Sequence, residues 1–279
     1  MASNIGRLVV IGGAEDKEGD CRILREVVKL AGGYQARLLV LTAATSEPQR
    51  VGSLYRQVFS RLGAAEVGVL DISERLQAED PMLVRLVDNC SGVFFTGGDQ
   101  LRITSLIGGT ALFHALGAAY RRGAVIAGTS AGASVMSSTM IIGGGEDKEP
   151  VAGGVRLAPG LNLISDVVID QHFAQRGRLG RLLAAVAQNP YVLGIGIDEN
   201  TAMVVDGPGF RVIGSGTVAI LDGQHIAFTN VSEVSPKAAL ALAEVRLHVL
   251  AEGYVFNLQT RRPGPYVGTT NCRNTEGGS

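Results

Sequence analysis

Residues 124–136 read AVIAGTSAGASVM, and this stretch decides the fold class. The apolar run Ala124–Ala127 is typical of a strand that is buried on both faces of a parallel sheet. The tight turn Gly128–Gly132 follows it, and the small residues from Ala131 to Met136 continue as a helical stretch. A strand, a turn and a helix in this order predict one unit of a mostly parallel, doubly wound α/β sheet.

The same alternation of strand and helix repeats on both sides of this stretch. Strands are predicted at Leu8–Ile11, Leu38–Leu41, Val67–Leu70, Val93–Phe95 and Val167–Ile169. Segments with apolar residues every three or four positions lie between strands and predict helices on both faces of the sheet. After Thr201, turn signals such as Asp222-Gly223 predict extra C-terminal hairpins. We expect a single domain over residues 1–279, with a tail from about residue 262 that is a candidate for disorder.

Composition excludes several classes of protein. The 279 residues carry 25 Lys and Arg against 26 Asp and Glu, so the net charge is −1. This balance argues against a nucleic-acid partner bound through a basic field and against a polybasic membrane surface. No apolar run reaches the ~18 residues of a membrane span, and we expect no signal segment. The three cysteines, Cys21, Cys90 and Cys272, lack zinc-like spacing, so we expect free thiols, a cytoplasmic location and neither metal nor cofactor.

The turn after Ala127 carries the candidate nucleophile. Gly128-Thr129-Ser130-Ala131-Gly132 has the form G-x-S-x-G between a strand and a helix, a setting that lifts the serine hydroxyl above the sheet. We predict Ser130 as nucleophile and the Ala131 N–H as one oxyanion donor. Gly98, in a second glycine-rich turn after a strand, is predicted to supply the other N–H. Because 38 of the 279 residues are glycine, a purely structural turn is the alternative interpretation.

A serine nucleophile requires a base. Of the four histidines, only His172 directly follows a predicted buried strand, Val167–Ile169. The carboxyl ends of parallel strands meet at one rim of a sheet, so His172 is expected near Ser130. A hydrogen-bonded structural histidine is the alternative interpretation.

The acid of a triad is predicted at the end of the strand run 194–197. Either Asp198 or Glu199 could orient the imidazole, and the residue pattern does not separate them. A plain turn acid between two strands is the alternative. The order of serine, histidine and acid differs from the α/β-hydrolase order of serine, acid and histidine.

Charged residues beyond His172 suit a polar substrate. Arg178 and Arg181 lie three apart at a helix start, where guanidinium groups can bind a carboxylate with two hydrogen bonds each. Asp170 and Gln100 could receive a cationic or polar group. A solvated basic face is the alternative for the arginines, and the acidic loop 146–149 is interpreted as solvated charge.

Five blocks, in this order along the chain, together resemble one known family. The blocks are Gly12-Gly13-Ala14-Glu15-Asp16, Phe95-Thr96-Gly97-Gly98-Asp99-Gln100, Gly128-Thr129-Ser130-Ala131-Gly132-Ala133, Asp170-Gln171-His172-Phe173 with Arg176, Arg178 and Arg181, and Gly196-Ile197-Asp198-Glu199-Asn200-Thr201. They resemble the cyanophycinases, serine exopeptidases of the aspartyl dipeptidase (peptidase E) superfamily, with a fold related to class I glutamine amidotransferases. No block was matched after about Phe228.

The resemblance implies specific roles. Ser130 would be the nucleophile, His172 the base and Glu199, rather than Asp198, the orienting acid. The implied substrate contacts are Gln100, Asp170, Gln171, Arg178 and Arg181. The implied substrate is cyanophycin, a poly-aspartate with arginine on each β-carboxyl, which is cut to β-Asp-Arg dipeptides by a homodimer.

Two other functions stay open at this point. An α-aspartyl or isoaspartyl dipeptidase would use the same triad on short substrates. A non-catalytic binding module on the same fold would use Ser130 only as a structural turn.

Overall fold

The computed structural model describes residues 5–144 and 149–267. In chain order its strands are β1 (Leu8–Ile11), β2 (Arg37–Leu41), β3 (Glu66–Leu70), β4 (Gly92–Phe95), β5 (Val125–Thr129), β6 (Thr139–Gly144), β7 (Val155–Pro159), β8 (Val167–Gln171), β9 (Leu193–Ile197), β10 (Thr201–Asp206), β11 (Gly209–Gly214), β12 (Val218–Asp222), β13 (Phe228–Thr229), β14 (Leu242–Ala243), β15 (Arg246–Leu250), β16 (Val255–Asn257) and β17 (Arg262–Gly264). Its α-helices are α1 (Arg22–Leu30), α2 (Pro48–Arg61), α3 (Pro81–Asn89), α4 (Gln100–Ile107), α5 (Ala111–Arg121), α6 (Ala131–Ser134) and α7 (Leu179–Gln188).

A large mixed sheet forms the centre of the α/β fold. Its strand order is β17-β16-β11-β10-β1-β5-β4-β2-β3. The strands from β1 to β3 in this order are parallel, as predicted. Four more strands, β10, β11, β16 and β17, extend the sheet with antiparallel pairs, so the expectation of a mostly parallel sheet is correct only for one half. The turns that join β10 to β11 and β16 to β17 are too short for the crossovers that parallel neighbours need.

A second sheet, which the sequence did not predict, packs on one face of the large one. Its order is β15-β12-β9-β8, and β8 and β9 are parallel strands joined through α7. Ile169, Ile195 and Ile220 point to its inner face and share a core with Val10 of β1. The outer face of this sheet is covered by α7, while α1 and α2 cover the far face of the large sheet. Both sheets contain apolar strands, and an apolar run does not specify which sheet a strand joins.

Strands are also present in the segment before β8 and in the tail that was a candidate for disorder. Before β8, the strand β7 pairs antiparallel with β6, with a bulge between Ile141 and Gly143. The expected tail begins with β17, which pairs with β16. The turn Asp222-Gly223 does not join a simple hairpin, because β12 pairs with β9 and β15. Residues 146–148 of the predicted acidic loop 146–149, and Cys272, lie outside the described residues.

Helix ends and thiols are consistent with ordinary packing. The Asp80 carboxylate accepts the Met82 N–H at 2.7 Å and caps α3, which begins at Pro81. Burial raises the pKa of Cys90 to about 11, so that this thiol stays protonated and unreactive.

Within 5–144 and 149–267 no single helix is long and apolar enough to cross a membrane. The helices α4 and α5 reach the required length and apolar composition only together, as a pair bent by 102°.

Candidate active site

The turn that carries Ser130 connects β5 to α6. Ser130 has φ 53° and ψ −112°, a conformation that side chains rarely adopt, and it presents the hydroxyl at a sharp bend. Its N–H donates to the Ile11 carbonyl at 3.0 Å, which ties the turn to the end of β1. A Cβ on Gly128 would lie 2.3 Å from the Gly132 carbonyl oxygen, so the chain can fold this tightly only with glycine there.

The imidazole of His172 lies between the Ser130 hydroxyl and a carboxylate. His172 follows β8, and its N–H donates to the Gly12 carbonyl at 2.7 Å. Its Nε2 lies 3.0 Å from Ser130 Oγ, and its Nδ1 lies 2.6 Å from Glu199 Oε1. In the tautomer with the proton on Nδ1, the ring donates to the carboxylate and accepts from the serine hydroxyl, as a general base requires.

A glycine shapes the space behind this imidazole. Gly13 has φ +102°, and a Cβ added there would lie 2.3 Å from His172 Cε1. The ring therefore packs directly on the backbone after β1. Only glycine permits this close approach without moving the imidazole.

The structure separates the two acids that the residue pattern left open. The Asp198 carboxylate is buried and accepts the Ala174 N–H at 3.0 Å, the Thr217 N–H at 3.0 Å and the Thr217 hydroxyl at 2.8 Å. Glu199 is the acid that contacts the imidazole, and its side chain is 37% exposed. Gln175, which the sequence did not single out, accepts the Glu199 N–H at 3.0 Å. No local pattern distinguishes these roles, because they depend on residues distant along the chain.

The two predicted oxyanion donors lie in turns next to Ser130. A Cβ on Gly97 would be 3.9 Å from Ser130 Oγ, so the turn with Gly98 approaches the nucleophile closely. The Asp99 N–H donates to the Ala44 carbonyl at 2.9 Å and holds that turn in place. Among the residues that the structure describes, no protein acceptor receives the Gly98 or Ala131 N–H. Both groups are therefore available to a negatively charged oxygen.

The Asp170 carboxylate, by contrast, is bound by side chains of the protein itself. Its carboxylate is fully buried and forms ion pairs with Arg178, at 3.2 Å, and with Arg181, whose Nε lies 2.6 Å from Oδ2. Burial lowers the pKa of Arg178 to about 10, and Asp170 opposes this shift. This placement differs from the expected contact between Asp170 and a substrate cation. The reason is that the start of α7 returns to the end of β8 and supplies both guanidinium groups.

The remaining predicted substrate contacts are close to this cluster or to the rim. Gln171 Oε1 accepts from Arg178 Nη1 at 2.7 Å, and Gln100 Nε2 donates to the Ile141 carbonyl at 2.6 Å. Arg178 and Arg181 each keep 13% of the side chain exposed. The side chain of Arg176 is exposed, and its N–H donates to the His172 carbonyl at 3.1 Å.

Comparisons with known proteins show the family and the fold of the chain. The model of peptidase family S51 matches residues 8–213, a range that includes Ser130, His172 and Glu199. A cyanophycinase from Geminocystis herdmanii is 42% identical over 258 residues, which cover 92% of this chain and 95% of that protein. A cyanophycinase from Nostoc sp. is 42% identical over 262 residues, 93% of this chain and 88% of that protein. In its fold, the chain is similar to the crystal structure of a peptidase from an acI-B1 Actinobacterium, with a TM-score of 0.62 and 24% identity over 87% of this chain and 96% of that one.

Proposed function

The chain belongs to peptidase family S51, and from that premise we propose that it is a serine exopeptidase that hydrolyses cyanophycin to β-Asp-Arg dipeptides. The observation that carries the proposal is the 42% identity to a cyanophycinase across 92% of this chain. The hydrogen-bonded order of Ser130, His172 and Glu199 supports the chemistry.

In the proposed mechanism Ser130 attacks the α-peptide carbonyl between two aspartates. His172 Nε2, 3.0 Å from the hydroxyl, takes the proton, and Glu199 stabilises the imidazolium through Nδ1. The Gly98 and Ala131 N–H groups receive the oxyanion, and loss of one such donor typically costs ~10²–10³-fold in rate. His172 then protonates the leaving amine and activates the water that hydrolyses the acyl-enzyme.

For substrate binding we propose that the arginines contact the substrate and that Asp170 holds two of them in place. Asp170 occupies one edge of the Arg178 and Arg181 guanidinium groups, and each guanidinium carries five N–H donors. The donors that Asp170 leaves free would bind a substrate carboxylate, and the exposed Arg176 adds positive charge on the turn after His172. Gln171 and Gln100 would border the same site. Asp170 thus acts on the substrate through the two arginines rather than directly.

The finer architecture and the assembly are also proposals. We infer a fold related to class I glutamine amidotransferases, in which Ser130 replaces the cysteine of those enzymes. The turn after the parallel strand β5 supports this relation. The family resemblance leads us to expect a homodimer, and the free thiols lead us to expect a cytoplasmic location.

The test supplies insoluble cyanophycin and short Asp-X dipeptides to the wild type and to Ser130→Ala. We expect the wild type to release β-Asp-Arg from the polymer and Ser130→Ala to lose at least ~10⁴-fold of that rate. The matched control is Ser134→Ala, since the buried Ser134 hydroxyl has no hydrogen-bond partner within the described structure. Hydrolysis of the dipeptides alone would assign a dipeptidase. Failure of a fluorophosphonate to label Ser130 would leave a non-catalytic binding module.

A further inference from the structure

A buried carboxylate that the mechanism does not use lies beneath the nucleophile. Glu15 follows β1 and is only 3% exposed. Its Oε2 accepts from Thr129 Oγ1 at 2.5 Å, its Oε1 accepts from the Tyr55 hydroxyl, and Lys17 Nζ lies 2.9 Å from Oε1. Burial, and then the Glu15 charge, raise the pKa of Tyr55 well above its ordinary value, so Tyr55 stays a neutral donor. An ionised carboxylate is costly to bury unless it is paired and hydrogen-bonded in this way.

This carboxylate is bonded to the residue that precedes the nucleophile. Thr129 is the last residue of β5, and its buried hydroxyl donates to Glu15. The N–H of Ser130 donates to Ile11 at the end of β1. The turn with the nucleophile is therefore fixed to the end of β1 by one backbone bond and one side-chain bond.

The same segment, Gly12–Asp16, also contacts the turns that carry the base and the acid. The Gly12 carbonyl accepts the His172 N–H at 2.7 Å, and the Gly13 carbonyl accepts the Asn200 N–H at 2.8 Å. The Asp16 N–H donates to Asn200 Oδ1 at 3.0 Å. One short loop thus touches all three turns of the candidate triad, and Glu15 is the residue that anchors this loop beneath Ser130.

We propose that Glu15 is a positioning residue, which holds Ser130 at hydrogen-bond distance from His172 through Thr129 and the Gly12–Asp16 loop. The inference rests on the proposed function of Ser130 as nucleophile. A displacement of about 1 Å at a reacting group can cost ~10²-fold in rate. A carboxylate with a purely structural role would change the folded fraction but not the turnover of each folded molecule.

The experiment measures kcat and KM for dipeptide release, together with the rate at which a fluorophosphonate labels Ser130. For Glu15→Gln we expect kcat and the labelling rate to fall about 10–100-fold with KM unchanged, since no substrate contact is altered. For Thr129→Val we expect a similar fall in kcat and in the labelling rate. Thr129→Ser, which keeps the hydroxyl, should retain most of both. The double variant Glu15→Gln/Thr129→Val should lose no more than the worse single variant, because Glu15→Gln weakens, and Thr129→Val removes, the same bond.

The matched control is Glu26→Gln. Glu26 is a half-buried carboxylate on α1, and its described partners are Arg211 and Lys29. We expect its kcat and labelling rate to equal those of the wild type. The proposal is overturned if Glu15→Gln keeps wild-type kcat per folded molecule. If that variant does not fold, equal rates for Thr129→Val and Thr129→Ser overturn it. If the fluorophosphonate does not label Ser130 in the wild type, the proposed function is overturned, and this inference is overturned with it.

Discussion

Two carboxylates next to the His172 turn, Glu199 and Asp170, have opposite surroundings. Asp170 is fully buried, and Arg178 and Arg181 together satisfy both of its oxygens. Glu199 is 37% exposed, and its only described side-chain partner is the His172 imidazole at 2.6 Å. The charge of a carboxylate that lies between two fixed cations is already balanced, so it contributes little to stabilising a proton on a neighbouring group. One that faces a titratable ring stabilises the charge that develops there.

Glu199→Gln should have the largest effect and should act on catalysis alone. The amide cannot stabilise the imidazolium and can favour the wrong tautomer, so we expect kcat to fall about 10⁴-fold. The free energy of unfolding should change little, because the side chain is partly exposed. Steady-state dipeptide release and urea unfolding measure the two quantities. A loss of less than tenfold would remove Glu199 from the triad.

Asp170→Asn should show the reverse behaviour. Two guanidinium groups would surround a neutral buried amide, and removing one partner of a buried ion pair typically costs about 3–5 kcal/mol of unfolding free energy. We expect KM to rise because the arginines lose their anchor, while Ser130 labelling of the folded protein continues. Asp206→Asn is the control, since its ion pair with Arg7 is exposed and should contribute below about 1 kcal/mol. Equal losses in the two variants would contradict the comparison.

Asp198→Asn tests whether contacts, rather than position in the sequence, decide the role. Asp198 is adjacent to Glu199, but Ala174 and Thr217 satisfy its carboxylate. We expect a loss of about 1–3 kcal/mol in unfolding free energy. The kcat of the folded variant should fall far less than that of Glu199→Gln. A matching kcat loss would mean that the two acids act as one unit.

Asp16→Asn should give the smallest effect, visible through pH. Backbone N–H groups of Cys21, Gly19 and Glu18 lower the pKa of Asp16. A carboxylate with a lowered pKa in the folded state stabilises the protein above its unfolded pKa of ~3.9, and this contribution is lost as the pH falls through the folded value. The stability difference between wild type and Asp16→Asn should therefore shrink towards acid pH in urea titrations. A difference that is constant with pH would contradict this account.

The sequence predicts the parallel half of the large sheet well because apolar runs and helical periodicity are local signals. The predicted strand Leu8–Ile11 has the observed bounds, and the predicted strand Val67–Leu70 starts one residue after the observed one. The second sheet escaped prediction because its strands pair with partners that no local pattern identifies. Likewise the sequence indicates strands after Thr201, but the antiparallel addition of β10, β11, β16 and β17 to the large sheet depends on long-range register.

At the site, the strand-end rule predicts that Ser130 and His172 lie close together, and they do. Its premise of a single sheet is wrong, because β8 belongs to the second sheet and β5 to the large one. The choice of Glu199 came from the family resemblance, because the contacts that occupy Asp198 come from Thr217 and Ala174. The pairing of Asp170 with Arg178 and Arg181 depends on how the start of α7 returns to β8, which residue types alone do not reveal. The catalytic roles themselves stay predictions until the variants are measured.

The origin of the site residues in two different sheets has a mechanical consequence. Ser130 extends from the large sheet, whereas His172 extends from β8 of the second one, and the 3.0 Å contact between them crosses the apolar interface that joins the layers. A slip of about 1 Å between the layers would separate nucleophile and base. The bonds from the His172 N–H to Gly12 and from the Ser130 N–H to Ile11 oppose such a slip, because they tie both turns to the end of β1. Turnover would therefore be sensitive to how the two sheets pack on each other. We expect mild pressure or denaturant to abolish turnover before the circular dichroism of the protein changes.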